Sequence, residues 1–187
     1  MEVVPIRNKT KIFEMKELLR QKSSGYELLF IMGINTALRI GDLLSLLVSD
    51  VTDDERNVLE VICLKEHKTG KIKRLPINKA LKKALSSYLI EHPDRNRNAP
   101  LFISRKGGTL SRSQAWRVLK AAGKAVGLSN IGTHSLRKTF GYHAYRKSGN
   151  DLGLVQKLLN HSVSKITLKY IGVDRENMDN MYMELNL

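Results

Sequence analysis

The sequence predicts an α+β domain in which helices dominate and β-structure is confined to one small antiparallel hairpin or sheet. Three observations predict it. Apolar residues recur at helical spacing in most segments. Two short β-rich runs flank a Thr-Gly pair suited to a hairpin tip. Capping pairs, glycines and prolines punctuate the chain at short intervals. The 187 residues suffice for one well-packed domain, and no repeat, low-complexity segment or long linker divides them.

The first helix is expected from about Thr10 to Gln21, on the spacing of Ile12, Phe13, Met15, Leu18 and Leu19. Ser24 followed by Glu27 reads as a capping box opening a second helix through Leu28, Leu29, Ile31 and Met32. Thr36-Ala-Leu-Arg-Ile-Gly-Asp-Leu-Leu-Ser-Leu46 continues into another short helix, with Arg39 at its start. An arginine enclosed between apolar segments needs an anionic partner. Asp42, three residues on, and a substrate phosphate are equally good candidates.

Asn57 to Leu64 and Lys71 to Ile77 read as two strands, with Lys68 on the hairpin between them. Lysines at such tips are ordinarily only solvated. Asn78 caps an amphipathic helix carrying Leu81, Ala84, Leu85, Tyr88 and Leu89, which Pro93 ends. Leu101-Phe-Ile reads as a short strand. Ser111 with Gln114 is a further capping box, opening a helix that carries Trp116, Leu119, Ala122 and Val126 and stops at Gly127. Trp116 is expected in its core. Cys63, the single cysteine, permits no internal disulfide and reads as a small buried residue.

From Thr133 a helix would place His134 and Arg137 one turn apart on one face. Gly149 and Asn150 would stop it, and Asp151 would cap the next helix, whose apolar residues are Leu152, Val155, Leu158 and Leu159. His161 then precedes a turn, and Tyr170 ends a short helix that Ser164 could cap. From Ile171 to Leu187 a last helix is expected, with Met178, Met181, Tyr182 and Leu185 on one face.

The charge is as informative as the periodicity. The chain carries a net +14, and from Arg95 to Asn150 it contains no Asp or Glu. That window includes Arg105, Lys106, Arg112, Arg117, Lys120 and Lys138, whereas the tail holds Asp174, Glu176, Asp179 and Glu184 against Arg175. Uncompensated cationic charge on this scale points to a polyanion, with a merely solvated surface as the plain alternative. Membrane spanning is disfavoured because no apolar run is long enough. The polar, charged start does not read as a signal peptide, and a cytoplasmic protein is expected. A metal site built from His67, His134, His143 or His161 is disfavoured by their spacing and by the lack of an accompanying carboxylate or thiol cluster.

His134, Arg137, His161 and Tyr170 can do chemistry together, with Arg39 as a second candidate arginine. A tyrosine phenol titrates near ~10 and is a poor nucleophile until its proton is taken. A phosphodiester repels an attacking oxyanion. Two arginines on its non-bridging oxygens would cancel that charge, a histidine could accept the phenol proton or orient the phosphate, and a lysine could protonate the departing sugar oxygen. Guanidinium groups supply the positive charge, so no metal is needed, and a phosphotyrosine bond would conserve the energy of the broken diester, so no ATP is needed.

In this order the motifs resemble those of the tyrosine recombinases, the phage-integrase family, over about Lys11 to Leu187. Thr36-Ala-Leu-Arg39-Ile-Gly-Asp42 resembles the first-arginine motif, with Asp42 the supporting acid. Lys68 in His-Lys-Thr-Gly resembles the hairpin lysine. His134-Ser-Leu-Arg137 resembles the His-x-x-Arg motif, Leu158-Leu-Asn-His161 the second-histidine motif, and Tyr170 the nucleophile. Ala37 and Asn160 stand where glycine is usual, and Asp42 where glutamate is. The resemblance implies the catalytic-domain fold of that family and a site-specific recombinase or integrase of a phage or mobile element. It further implies a 3′-phosphotyrosyl intermediate and double-stranded DNA as partner, with a tetramer on DNA and a monomer when free. Residues 1–187 would form a single catalytic domain without the family's N-terminal DNA-binding domain, and 171–187 would dock on a neighbouring protomer. The alternatives are a catalytically idle DNA-binding regulator and a DNA-relaxing enzyme like the type IB topoisomerases.

Overall fold

The computed structural model describes residues 3–68, 70–104, 106–172 and 182–185. Helix α1 (Lys9–Lys22) is capped by Asn8, whose side chain accepts from the amides of Thr10 and Lys11. Only Ser23 separates it from α2 (Ser24–Thr36). Ser23 closes α1 with its amide and caps α2 with its hydroxyl. The expected cap, Ser24, is therefore already helical, and Glu27 pairs with Arg20 at 3.3 Å instead.

Helix α2 buries Leu28, Leu29, Phe30, Ile31 and Met32, apolar on all sides, because it runs through the centre of the molecule. It packs on α1, on α4 (Lys79–Ile90) and on α6 (Thr133–Lys147). At the α2–α6 crossing, Gly33 leaves the space that Leu136 fills: a β-carbon there would lie 2.4 Å from the Leu136 side chain.

Short α3 (Ile40–Leu44) follows α2. Strands β1 (Val61–Lys65) and β2 (Ile72–Pro76) form one antiparallel hairpin, with Cys63 opposite Arg74. They are shorter than the β-rich runs. Side chains alternate across a strand. Ile62 therefore faces the core and Cys63 faces solvent, so Cys63 is not the buried residue expected. Residues 101–103 make no strand; Ile103 forms a single bridge with Thr109.

Helix α5 (Arg112–Ala125) begins with the expected Ser111–Gln114 capping box. Its buried face is Ala115, Leu119, Ala122 and Gly123. Trp116 lies off that face and is 42% exposed, not core, with the Lys120 ammonium 4.6 Å above its ring. Helix α6 stops at Ser148, and Asp151 caps α7 (Leu152–Leu158). Helix α8 (Ser164–Ile171) has Val163 at its cap position, so Ser164 is its first residue.

Three apolar clusters hold these elements. One joins α2, α3, the hairpin and α4. A second joins α1, α5 and the segment around Ile6. A third, around Tyr145, Val155, Leu159 and Ile171, joins α6 to α7 and α8. There Gly141 admits Ile171, against which a β-carbon would lie 2.7 Å. Among the described residues no helix is long and apolar enough to cross a membrane. The expected C-terminal helix falls mainly on residues 173–181 and 186–187, outside the described residues.

Candidate active site

The site forms where the start of α3, the hairpin turn, α6 and the α7–α8 turn meet. Arg39 reaches it because α2 ends abruptly. Ala37 adopts a left-handed conformation (φ 56°), and Arg39 follows as the extended cap of α3. Its guanidinium meets the carboxylate of Glu66 at 3.0 Å. Glu66, at the end of β1, is 1% exposed, whereas the Arg39 side chain is 21% exposed and keeps part of its fork open. The anionic partner of Arg39 is thus Glu66. Asp42, also buried, accepts instead from the backbone amide of His67 at 3.0 Å. It fixes the hairpin turn beside Lys68. The hairpin amide engages the Asp42 carboxylate and Glu66 reaches Arg39 from across the hairpin, which is why proximity in sequence misleads here.

Arg137, on α6, is 2% exposed. Its two terminal nitrogens donate to the carbonyls of Ala37 and Leu159. A guanidinium carries five donors, so these two carbonyls leave part of the Arg137 fork for a further acceptor. Burial lowers the Arg137 pKa, and Tyr170 acts against that shift.

The His161 ring meets the Tyr170 ring edge-on, with centroids 5.0 Å apart. His161 Nδ1 lies 3.1 Å from the Thr167 hydroxyl, inside α8. Burial, then Arg137, Arg39 and Lys68, push the His161 pKa down to about 4, so its ring is neutral at neutral pH. His134, at the start of α6, is shifted the same way by burial and by Arg137, Lys138, Arg39 and Arg112. Burial raises the pKa of Tyr170, while Arg137 and Arg39 oppose the rise. The phenol is therefore protonated in the free protein and depends on those two cations and on a proton acceptor for reactivity.

Residues 98 apart in sequence, Arg39 and Arg137, thus act on the same phenol and the same imidazoles. Lys68 is exposed on the hairpin turn, close enough to influence His161. The remaining predicted cations divide. The Arg112 guanidinium packs against Gly41, joining the rim near His134. Arg117, Lys120 and Lys106 are exposed outside the cluster. Lys138, expected on the DNA-facing surface, is instead 6% exposed, its ammonium 5.4 Å from the centre of the Tyr170 ring. It follows Arg137 on the inward side of α6. Arg105 lies outside the described residues.

Three residues had no role assigned from the sequence: Glu66, Asn160 and Lys73. Asn160 occupies a left-handed position (φ 50°), and its side chain donates to the second oxygen of Glu66 at 2.9 Å. Lys73, on β2, donates to the Leu158 carbonyl at 3.0 Å. Burial, and then the Arg137 charge, lower its pKa to about 8. The one available signal was that an enclosed Arg39 requires a carboxylate and that Glu66 is the acid nearest Lys68.

A mainly helical domain with guanidinium, imidazole and ammonium groups gathered around one phenol has the architecture of a DNA strand-transferring enzyme. Residues 10–177 match the phage integrase family, and the chain belongs to that family. It is similar to the probable integrase/recombinase YoeC of Bacillus subtilis (strain 168), with 43% identity over 175 residues, covering 93% of this chain and 92% of that protein. It is 33% identical over 180 residues to the tyrosine recombinase XerC of Roseiflexus castenholzii, covering 93% of this chain but 52% of XerC. The crystal structure of XerA recombinase matches with a TM-score of 0.76 at 23% identity, covering 100% of this chain and 65% of that one. XerH bound to its difH substrate matches with a TM-score of 0.69 at 22% identity, covering 100% and 56%. At those identities the structural likeness establishes the fold.

Proposed function

We propose that this chain is the catalytic domain of a site-specific DNA recombinase that cuts and rejoins double-stranded DNA through Tyr170. The observation that carries the reading is that Arg39, through Glu66 and Asn160, and Arg137, through the Leu159 carbonyl, meet at the α7–α8 turn where the His161 ring lies against that of Tyr170. Arg39 and Arg137 hold the non-bridging oxygens of the scissile phosphate and oppose the charge that grows in the transition state. The Tyr170 oxygen attacks phosphorus, its proton passing to a neutral imidazole or to water. The bond from phosphorus to the 5′-oxygen breaks, and Lys68 protonates that oxygen. The product is a 3′-phosphotyrosyl link and a free 5′-hydroxyl. A 5′-hydroxyl from a partner strand reverses the step. His134 and His161 orient the phosphate, and Asp42 fixes the turn that carries Lys68.

The exposed cations Lys106, Arg112, Arg117 and Lys120 contact the DNA backbone, giving affinity with a steep salt dependence. The names of the relatives, integrase and recombinase, support the recombinase reading, and we place it in a phage or mobile element acting in the cytoplasm. Four copies on two DNA sites would let strands exchange, with the segment beyond Ile171 reaching a neighbouring copy.

A nicked suicide substrate tests the reading, because loss of a short 5′-hydroxyl fragment traps the covalent intermediate. A protein–DNA adduct on a denaturing gel is expected from the wild type and not from Tyr170→Phe. DNA binding with no adduct at any site tested would select the idle-regulator alternative. Plasmid relaxation without site preference would select the topoisomerase-like one.

A further inference from the structure

The three residues immediately before His161 are each held by a different part of the chain. The Leu158 carbonyl accepts from Lys73 of β2 at 3.0 Å. The Leu159 carbonyl accepts from Arg137 of α6. The Asn160 side chain donates to Glu66, at the end of β1, at 2.9 Å. Two of the three holds come from the hairpin, across 85 and 94 residues of sequence. The other oxygen of Glu66 binds Arg39.

This arrangement exceeds what fold stability asks for. Lys73 is half-buried beside two guanidinium groups, so its ammonium is opposed by both burial and like charge. An apolar side chain of similar length would fill the space without that opposition. Asn160 holds a left-handed backbone conformation for which glycine suffices. What its side chain adds is the amide that reaches Glu66. Beyond the turn, α8 starts only three residues after His161, and Tyr170 is in its last turn. The placement of residues 158–160 therefore sets the origin of the helix that carries the phenol.

We propose that Lys73, Glu66 and Asn160 are positioning residues that latch the β-hairpin to the α7–α8 turn. Through them the hairpin lysine Lys68, the phosphate clamp Arg39 and the nucleophile Tyr170 move as one unit. The latch deepens the recombinase reading and rests on it for its consequence in catalysis, but its mechanical part is independent of any activity. A lysine that merely closed the carboxyl end of α7 would influence stability and leave the hairpin unaffected.

Two measurements on the full chain test it. The first is hydrogen–deuterium exchange of the wild type, Asn160→Gly and Lys73→Met. Net hydrogen-bond contributions of this kind correspond to roughly two- to tenfold in a local opening equilibrium. About fivefold faster exchange is expected in both residues 158–171 and residues 61–76 of each variant, with α2 unchanged. Unaltered exchange in the hairpin would overturn the latch whether or not the protein cleaves DNA. The second is single-turnover cleavage of the suicide substrate at saturating protein, alongside DNA affinity. Each variant should lose about tenfold in cleavage rate with affinity unchanged, and Lys73→Arg should recover most of it. The double variant should lose little more than the worse single one, as members of one unit do. Wild-type cleavage by both single variants, in a protein whose wild type forms the Tyr170 adduct, would overturn the positioning role while sparing the recombinase reading. An absent wild-type adduct with the expected exchange pattern would do the reverse.

Discussion

Arg137 donates to the backbone carbonyl of Ala37, joining α6 to the end of α2 across 100 residues of sequence. The receiving residue is held at φ 56°, a conformation that costs a residue with a β-carbon about 1–2 kcal/mol. Glycine adopts it freely but adds unfolded-state entropy worth about 0.4–1 kcal/mol. Ala37→Gly is therefore expected to raise stability by about 0.5–1 kcal/mol, read as a higher urea midpoint at unchanged slope. Cleavage should be unaffected, because the carbonyl stays in place.

Arg137 works as a fork, and a lysine cannot reproduce it. Arg137→Lys should lower cleavage by about 10²–10³-fold, the usual loss for one transition-state donor. Arg39→Ala should fall in the same range. The two differ in stability. Arg137→Ala strands two buried carbonyls at about 1–3 kcal/mol each, whereas Arg39→Ala leaves Glu66 still bonded to Asn160. Single-turnover rates and urea denaturation, measured on the same preparations, separate these effects.

The two histidines make stability fall in mild acid. His161 is held at about 4 in the folded protein against an ordinary value of 6.5, and His134 is lowered as well. Between those values the unfolded chain binds more protons, so the folded state loses ground as pH drops. The contribution is fully present above about pH 6.5 and disappears progressively towards pH 4. Urea midpoints should fall less steeply across that window in His161→Gln than in the wild type. Lys73 acts in the alkaline range: with a folded value of about 8 against 10.5, stability should rise with pH between them. Lys73→Met should lack that rise.

On α5, Arg112, Trp116 and Lys120 recur at helical spacing along one exposed face, and Arg117 adjoins it. Arg117→Ala and Lys120→Ala should each weaken DNA binding similarly for all sequences. Each should reduce the slope of log affinity against log salt by about 1. Titrations at several salt concentrations provide the readout. An unchanged slope would remove this face from the DNA footprint.

What could be read from the sequence was local. The Ser111–Gln114 capping box, the stop at Gly149–Asn150, the Asp151 cap and the His134–Arg137 spacing all involve residues within a turn of one another, where backbone geometry dictates the outcome. Arg39, Lys68 and Tyr170 were legible through motif order, and the fold brings them together. The misses share another cause. Whether Trp116 faced in or out depended on which side of α5 met the core, which its own periodicity left undecided. Cys63 depended on the phase of a two-residue alternation. Glu66, Asn160 and Lys73 act across 27, 94 and 85 residues, and beyond the closeness of Glu66 to Lys68 nothing in their neighbourhoods in the sequence announces a partner. Ala37 and Asn160 do hold the left-handed conformation that glycine would provide. The resemblance therefore marked two strained positions before their geometry was known.

In the proposed reaction one phenol becomes bonded to DNA. Mass spectrometry of the trapped complex after nuclease and trypsin digestion reads this directly, since cleavage after Lys169 and Arg175 releases a peptide that begins with Tyr170. A nucleotide remnant on that peptide, located to the tyrosine, is the predicted result. A remnant on any other residue, or on the same peptide from Tyr170→Phe, would exclude Tyr170 as the nucleophile.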